Sequence, residues 1–216
     1  MELRELSLAV QKGSGKQSKQ LVKEALEQGL KPADILNNGL IAAMGEIGDK
    51  FKEGQIYVPE MLIAAKAMQA GLKVLAPSLK AEGVEPIGKA VIGTVKGDLH
   101  DIGKNLVIMM LESAGFEVID LGVDVPAEKF IQALEENPDV KIVGASALLT
   151  TTMPALKDTV KALNEYPGRD KIKVMVGGAP ITQEFADEIG ADAYTEDAAS
   201  AAQVAKKLAT SVSVPA

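Results

Sequence analysis

The sequence contains no cysteine and no tryptophan, and it has a single histidine, His100. Without cysteine, the chain cannot form disulfides, thiolate zinc sites, iron–sulfur clusters or a cysteine nucleophile. Aromatic residues make up only 3% of the chain, so a flat ligand would have to be held by aliphatic side chains, glycine backbone and hydrogen bonds rather than by ring stacking. The one imidazole is therefore the first candidate for a metal ligand.

The chain also lacks a basic excess and long apolar runs. Its formal net charge is −7 and its sequence pI is about 4.9, which argues against a nucleic-acid surface because such a surface needs a basic face. Glycine or charged residues interrupt every apolar stretch well before the roughly 18 residues of a membrane span, and the charged N-terminus has no apolar signal core. We therefore expect a cytoplasmic protein without nucleic-acid or membrane partners.

The first part of the chain, residues 1–80, shows only helical patterns. Apolar residues recur at spacings of three and four, and glycine or proline marks the ends of the segments. This pattern predicts an all-α domain of about four helices in a small antiparallel bundle. Proline, glycine and charged residues dominate 77–88, and we place a linker within that stretch, at 81–88.

From residue 89 onward, short β-branched runs alternate with helical segments. Candidate strands lie at 90–95, 117–121, 142–146, 172–176 and 191–194, and candidate helices at 102–114, 126–136, 151–164, 181–189 and 196–209. The alternation predicts an α/β domain over 89–216 with a doubly wound, five-stranded parallel sheet. We favour the flavodoxin-like strand order 2-1-3-4-5, which would place a ligand at the carboxyl ends of strands one, three and four.

Three loops follow strands at that predicted edge. The run Asp98–Gly103 follows strand one, the run 146–152 with its serine and threonines follows strand three, and Gly177-Gly178 follows strand four. If the fold is right, one imidazole, a carboxylate, several hydroxyls and a glycine pair face the same crevice. A carboxylate close to a histidine can hold one ring nitrogen while the other ring nitrogen binds a metal.

The pattern D-x-H-x-x-G, then S-x-L and then G-G resembles the cobalamin-binding fingerprint shared by methionine synthase and the corrinoid proteins of methyltransferase systems. The runs GTVKGDLHDIGKN at 93–105, DLGVDVP at 120–126 and YVPE at 57–60 also look like that family. The likeness covers about residues 15–208. It implies that 1–80 is a helical cap domain and that 89–216 is a cobalamin-binding domain.

The resemblance implies roles for individual residues. In the family, the corrinoid binds with its own lower base detached from cobalt, so His100 would be the lower axial ligand. Asp98 would hydrogen-bond the imidazole. Thr152 stands where the family has a serine and would complete a relay with Asp98. The detached nucleotide tail would run beside the sheet along Ser146, while Gly177 would allow main chain to approach it.

Further cofactor contacts are implied in the same way. Gly97 would serve the turn and Gly103 the close packing of a helix, while Tyr57 and Met61 of the cap would lie over the reactive upper face. The expected cofactor-binding residues are Tyr57, Met61, Gly97, Asp98, Leu99, His100, Asp101, Ile102, Gly103, Ser146, Leu148, Thr150, Thr152, Gly177 and Gly178. Asp101 is equally explained as a helix cap.

The function implied by the resemblance is that of a corrinoid protein in one-carbon metabolism. It would carry a methyl group on cobalt between a substrate-specific methyltransferase and an acceptor methyltransferase, with a reductive activation protein as a further partner. The chain has no room for a substrate-activating barrel of about 250 residues, so it would not be a complete enzyme alone. The donor, whether a methylamine, methanol, a quaternary amine or a methoxy compound, would be recognised by the partner.

Three alternatives remain open. The chain could be the cobalamin subunit of an adenosylcobalamin-dependent mutase, although the cap resembles the one that protects a methyl group. It could be a cobalamin-sensing regulator, although its acidic charge disfavours DNA. A cofactor-free module like a response regulator would need a phospho-acceptor aspartate at the end of strand three, where this chain has Ser146.

Overall fold

A computed structural model of the chain describes residues 3–211, and these residues divide into two compact units. The first unit runs up to Pro86 and includes Ser113–Gly115, and the second comprises Ile87–Glu112 and the described residues from Phe116 onward. The outermost residues of the two predicted domains, 1–2 and 212–216, lie outside the described range. No helix in that range has both the length and the apolar content needed to traverse a bilayer.

The first unit is helical, as its apolar periodicity predicts. Its elements are α1 (Leu3–Gln11), α2 (Gly15–Glu27), α3 (Pro32–Asp34), a π-helical segment (Ile35–Ile41), α4 (Ala42–Lys52) and α5 (Val58–Ala81). Because α3, the π-helical segment and α4 follow one another without a break, the described residues of this unit form four successive helical stretches. A glycine with positive φ follows each of them, at Gly13, Gly29, Gly54 and Gly83, where a left-handed residue stops the helix.

Two details of the helical unit differ from the sequence expectation. The π-helical segment was not predicted, because one extra residue per turn leaves only a small displacement in a pattern of period 3.6. At its centre, a Cβ on Gly39 would lie 2.7 Å from Cδ2 of Leu6, so glycine permits the close approach of α1. In addition, α5 runs through Pro77 to Ala81, so the start of the proline-rich stretch is helical and only 82–87 lies between α5 and the first strand.

The second unit is an α/β sandwich. Its strands are β1 (Gly88–Thr94), β2 (Phe116–Asp120), β3 (Val140–Ser146), β4 (Lys173–Gly177) and β5 (Ala193–Tyr194), and its helices are α6 (Ile102–Ser113), α7 (Ala127–Glu136), α8 (Met153–Asn164), α9 (Gln183–Ile189) and α10 (Ala198–Ser211). Two 3₁₀ turns, Thr150–Thr152 and Arg169–Lys171, precede α8 and β4. All strand pairs are parallel, and the order is β2-β1-β3-β4-β5. The predicted fold class and strand order are confirmed.

The register of the sheet determines where the loops meet. Thr94 pairs with Ser146, and Ser146 pairs with Gly177, so β1, β3 and β4 end at the same level. Helices cover both faces of such a sheet, and the central strands are accordingly buried along most of their length. The loops that follow these three strands therefore leave the sheet side by side.

Candidate functional site

A tight turn after β1 directs Asp98 into the protein. The backbone N–H of Asp98 donates to the carbonyl of Val95 at 3.1 Å, and Gly97 has φ +82°. A positive φ at the third position of a turn is easy for glycine and strained for other residues, which confirms that Gly97 serves the turn. Asp98 has no exposed surface.

The buried Asp98 carboxylate accepts hydrogen bonds from three neighbours. Its Oδ1 accepts from Nδ1 of His100 at 2.7 Å and from the backbone N–H of His100 at 3.1 Å. Its Oδ2 accepts from the backbone N–H of Leu148 at 2.7 Å and from Oγ1 of Thr152 at 2.8 Å. The loop after β1 and the loop after β3 are thus joined at a single side chain.

These hydrogen bonds keep Asp98 ionised. Burial by itself raises the pKa of the carboxyl, but the hydrogen bonds from Leu148, His100 and Thr152 favour the charged form more strongly and hold the pKa well below its ordinary value. An ionised carboxylate only accepts hydrogen bonds. The proton between the two side chains therefore sits on Nδ1 of His100.

This tautomer defines what His100 offers to a ligand. With Nδ1 protonated, Nε2 of the neutral ring carries a lone pair. The His100 side chain is 49% exposed, and none of the hydrogen bonds found among residues 3–211 uses Nε2. The site presents one oriented, metal-competent nitrogen whose partner nitrogen is held by a carboxylate.

Thr152 occupies the position predicted for it. It is 5% exposed, its backbone N–H donates to the carbonyl of Leu149 at 3.0 Å, and its hydroxyl lies 2.8 Å from Oδ2 of Asp98. Its methyl group is accommodated 3.8 Å from where a Cβ on Gly97 would stand. His100, Asp98 and Thr152 therefore form one continuous hydrogen-bonded series.

A hydroxyl pair at the strand ends is a second connection to His100. Thr94, the last residue of β1, is 1% exposed. Its Oγ1 donates to the carbonyl oxygen of His100 at 2.9 Å and lies 3.0 Å from Oγ of Ser146. Thr94 was not among the predicted site residues, although an inward hydroxyl at the end of an apolar strand was a usable signal.

Two carboxylates, one at the end of β2 and one in the loop after it, were not among the predicted site residues, although both lie in the run DLGVDVP. The Oδ1 of Asp124 accepts from the backbone N–H of Gly97 at 2.7 Å, and the Asp124 N–H donates to the Asp98 carbonyl at 2.9 Å. Asp124 has φ +54°, an uncommon conformation for a residue other than glycine that tends to occur at functional sites. Asp120 accepts from the nearly buried Lys104 at 2.7 Å, which ties the start of α6 to β2.

The glycines of the motif differ in how much space a Cβ would have at each position. A Cβ on Gly178, whose φ is +127°, would lie 1.8 Å from the carbonyl oxygen of Ala147, so the loops after β3 and β4 meet there in main-chain contact. A Cβ on Gly177 would meet only the carbonyl of Thr195 at 3.5 Å. The expectation that Gly103 permits close helix packing is wrong, because a Cβ there would meet nothing within 4 Å.

Exposed large apolar side chains flank His100 in the chain after β1 and precede Thr152 in the loop after β3. Leu99 is 72% exposed, Ile102 77%, Leu148 40% and Leu149 41%. We call these four residues the apolar rim. A soluble protein keeps few large apolar side chains in water, and a group of them around polar groups is typical of a ligand-binding surface.

The remaining predicted residues lie outside the hydrogen-bonded series of His100, Asp98 and Thr152. Asp101 is exposed, and its Oδ2 accepts from Nδ2 of Asn105 at 3.2 Å, as expected for a residue at the start of α6. Thr150 is exposed in the 3₁₀ turn. Tyr57 (69% exposed) and Met61 (1% exposed) lie at the beginning of α5 in the helical unit, and their contact with a cofactor stays a prediction.

The metal chemistry that this site can support is restricted. Within residues 3–211, no group of three or more histidine, cysteine, aspartate or glutamate side chains could hold a metal ion. One imidazole alone suits a metal whose other positions are filled by a macrocycle, as in haem proteins.

Comparisons with known proteins agree with the architecture. Two family models, both described as a B12 binding domain, match residues 88–203 and 2–76. The dimethylamine corrinoid protein of Methanosarcina barkeri is 50% identical over 83% of this chain and 84% of its own length, and the trimethylamine corrinoid protein of the same organism is 43% identical over 84% of each. The crystal structure of the methanol:cobalamin methyltransferase complex MtaBC from M. barkeri matches with a TM-score of 0.82 and 30% identity, over 96% of this chain and 79% of that one.

Proposed function

Since the chain belongs to the family of corrinoid proteins built from B12 binding domains, we propose that it carries a methyl group on the cobalt of a corrinoid between two methyltransferases. Its relatives include corrinoid proteins named for dimethylamine and trimethylamine. A carrier of this kind binds its cofactor and presents it to partner proteins, while the corrin supplies the chemistry. The alternatives of a mutase subunit and a sensor have no comparable support.

One observation carries the proposal that His100 is the lower axial ligand of cobalt. The ionised Asp98 fixes the proton on Nδ1 of His100 at 2.7 Å, so the half-exposed ring directs its lone pair outward at Nε2. Such a carboxylate orients the ring and increases its donor strength toward a metal.

The surroundings of His100 fit a corrinoid in their chemistry. A corrin is a wide, largely apolar ring with amide side chains, and the apolar rim supplies aliphatic contacts where aromatic stacking is unavailable. A Cβ on Gly103 would meet nothing within 4 Å, so the surface is open at the start of α6. Ser146 and Gly177 lie at the strand ends where the detached nucleotide tail is expected.

The side chains of the protein have separate tasks in this proposal. Asp98 holds the ring and compensates positive charge at the metal. Thr152 donates to Asp98 and, by giving up or strengthening that hydrogen bond, adjusts how much negative charge the carboxylate directs toward the imidazole. A corrinoid held by His100 would supply the metal that carries the methyl group.

The proposed partners are a substrate-specific methyltransferase, an acceptor methyltransferase and a reductive activation protein. We propose a methylated amine as the donor, because the relatives named for methylamines are 50% and 43% identical, against 30% for the methanol system. Supplying the loaded protein with dimethylamine, trimethylamine or methanol, each with a methyltransferase for that donor, would identify the donor from the change in the corrinoid absorption spectrum.

The axial ligand can be tested without ambiguity because the chain has one histidine. We would load the protein with cobalamin, reduce it by one electron and record the electron paramagnetic resonance spectrum with and without ¹⁵N-histidine. We expect the nitrogen superhyperfine pattern to change from three lines to two, because the axial nitrogen then comes from the labelled imidazole. An unchanged pattern would assign the position to the unlabelled benzimidazole of the cofactor and overturn the proposal.

Variants complete this experiment. In His100→Ala we expect the axial nitrogen signal of the labelled residue to disappear and cobalamin affinity to fall about 10- to 100-fold, the usual cost of losing a group that supports a metal site. Lys96→Ala is the matched control, since Lys96 is exposed in the same turn and has no place in the site. The two variants should differ sharply in both measurements.

A further inference from the structure

A chain of two hydroxyl groups reaches His100 from the side of the sheet. Oγ of Ser146 lies 3.0 Å from Oγ1 of Thr94, and Oγ1 of Thr94 lies 2.9 Å from the carbonyl oxygen of His100. Thr94 is 1% exposed. This second connection is separate from the Asp98 carboxylate, because it holds the carbonyl of His100, whereas Asp98 holds the ring and the backbone N–H.

The hydrogen atoms of this chain can be assigned from its chemistry. A carbonyl oxygen only accepts, so the single hydroxyl hydrogen of Thr94 points at His100. The contact between Thr94 and Ser146 then needs the hydroxyl hydrogen of Ser146. Two hydrogens thus serve two contacts, and Ser146 retains only lone pairs for any other neighbour.

We propose that Thr94 is a positioning residue that fixes the main chain of His100, and that Ser146 therefore meets the corrinoid as a hydrogen-bond acceptor. The proposal rests on the proposed function, because it assigns roles toward the same cofactor. Thr94 anchors the carbonyl of the residue whose ring Asp98 orients. Together they fix both ends of His100, which leaves Nε2 little freedom to move.

The role of Ser146 has a consequence for selectivity. A donor group of the nucleotide tail, such as a hydroxyl, satisfies Ser146 and leaves Thr94 bound to His100. An acceptor group would need the Ser146 hydrogen and would break the contact between Ser146 and Thr94. The end of β3 therefore favours ligand groups that donate a hydrogen bond over groups that accept one.

Three variants separate the two roles. Thr94→Val keeps the branched shape and removes the hydroxyl. Thr94→Ser, the matched control, keeps the hydroxyl and removes the methyl group. Ser146→Ala removes the contact to the tail and leaves the hydrogen bond from Thr94 to His100 in place.

The first measurement uses the protein without cofactor. We would record the ¹⁵N signals of the one histidine and the exchange of its Nδ1 proton with water. In Thr94→Val we expect that proton to exchange about 10-fold faster, because loss of the anchor weakens the bond to Asp98 by about the value of one hydrogen bond. Thr94→Ser and Ser146→Ala should match the wild-type protein.

The second measurement compares binding of cobalamin with binding of cobinamide, which lacks the nucleotide tail. We expect Thr94→Val to weaken both by a similar factor of about 10, because His100 contacts both corrinoids. Ser146→Ala should weaken cobalamin alone. Thr94→Ser should bind both within about twofold of the wild-type protein.

Several results would overturn the inference. Unchanged ¹⁵N signals and affinities in Thr94→Val would remove its positioning role, and equal effects of Thr94→Val and Thr94→Ser would assign the effect to packing rather than to the hydroxyl. A loss of cobinamide affinity in Ser146→Ala would contradict its role at the tail. If the wild-type protein bound neither corrinoid, the proposed function would fail, whereas the measurement without cofactor would still decide the role of Thr94.

Discussion

The two edges of the parallel sheet each have an aspartate that ties loops together, but they leave very different surfaces. At the carboxyl edge, Asp98 accepts from two backbone N–H groups, an imidazole and a hydroxyl. At the amino edge, Oδ2 of Asp192 accepts from the backbone N–H of Val174 at 2.6 Å and from Nη2 of Arg169 at 2.7 Å. Both arrangements fasten a loop to a neighbouring strand.

The two arrangements differ in the basic side chain that donates to the aspartate. Every guanidinium nitrogen of Arg169 donates within the protein, since Nε binds Asn164 and Nη1 binds the carbonyl of Ile172. The imidazole of His100 uses one nitrogen for Asp98 and directs the other outward. The same type of carboxylate therefore closes one edge of the sheet and leaves a metal-competent group exposed at the other.

The largest expected effect comes from removing the two carboxylates. Asp98→Ala should lower the free energy of unfolding by about 4 kcal/mol. It removes the acceptor of the Leu148 and His100 backbone N–H groups and of Nδ1 of His100, whereas the Thr152 hydroxyl keeps the carbonyl of Leu149. Asp192→Ala should lower it by about 2 kcal/mol, because Arg169 keeps two other acceptors. Urea unfolding at pH 7 measures both.

Cofactor binding should distinguish Asp98→Ala from Asp192→Ala. Only Asp98→Ala should weaken corrinoid binding, by about 10- to 100-fold, since Asp192 lies at the opposite edge. If both variants lost equal affinity, the distinction between a closed edge and an open edge would be wrong.

Glycines at the two edges should respond differently to alanine. Gly178→Ala should cost about 3 kcal/mol, because its φ of +127° is closed to side chains and its Cβ would clash with the Ala147 main chain. Gly190→Ala, at φ +78°, should cost about 1 kcal/mol, because its neighbour is the movable end of Asn164. Thermal unfolding of both variants tests the order, and a larger loss for Gly190→Ala would contradict it.

A further expected effect concerns pH. Because its hydrogen bonds lower the pKa of Asp98 despite burial, the carboxylate contributes stability above its ordinary pKa of about 3.9 and loses it as the pH falls further. The stability difference between the wild-type protein and Asp98→Asn should be constant from about pH 7 to 5 and narrow by about 2 kcal/mol below about pH 4. Lys96→Ala is the control, and a difference that widens in acid would refute the ionised state of Asp98.

The sequence was sufficient for the fold because the relevant signals are local. Alternating β-branched and helical runs place all five strands within a few residues, and right-handed crossovers leave few orders to choose from. The π-helical segment and the helical Pro77 escaped because both depend on packing against other helices. Local sequence patterns predict the helices and strands well, whereas tertiary contacts determine where these elements are irregular.

The hydrogen-bonded series of His100, Asp98 and Thr152 could be predicted from the sequence, but several residues around it could not. Asp98 and His100 are two residues apart, so their contact is visible in the sequence. Thr94 and Asp124 act through main-chain atoms of His100 and Gly97. The hydroxyl that ends an apolar strand was a signal for Thr94, but the sequence does not show which main-chain atoms these two side chains reach. The Gly178 contact with Ala147 likewise emerges only when two loops are folded side by side.

The apolar rim has a calorimetric consequence. Four aliphatic side chains in water carry a hydration shell with a high heat capacity, and a ligand that covers Leu99, Ile102, Leu148 and Leu149 releases that shell. Titration of the protein with a corrinoid should therefore give a negative change in heat capacity, so that the binding enthalpy becomes more exothermic with each rise in temperature.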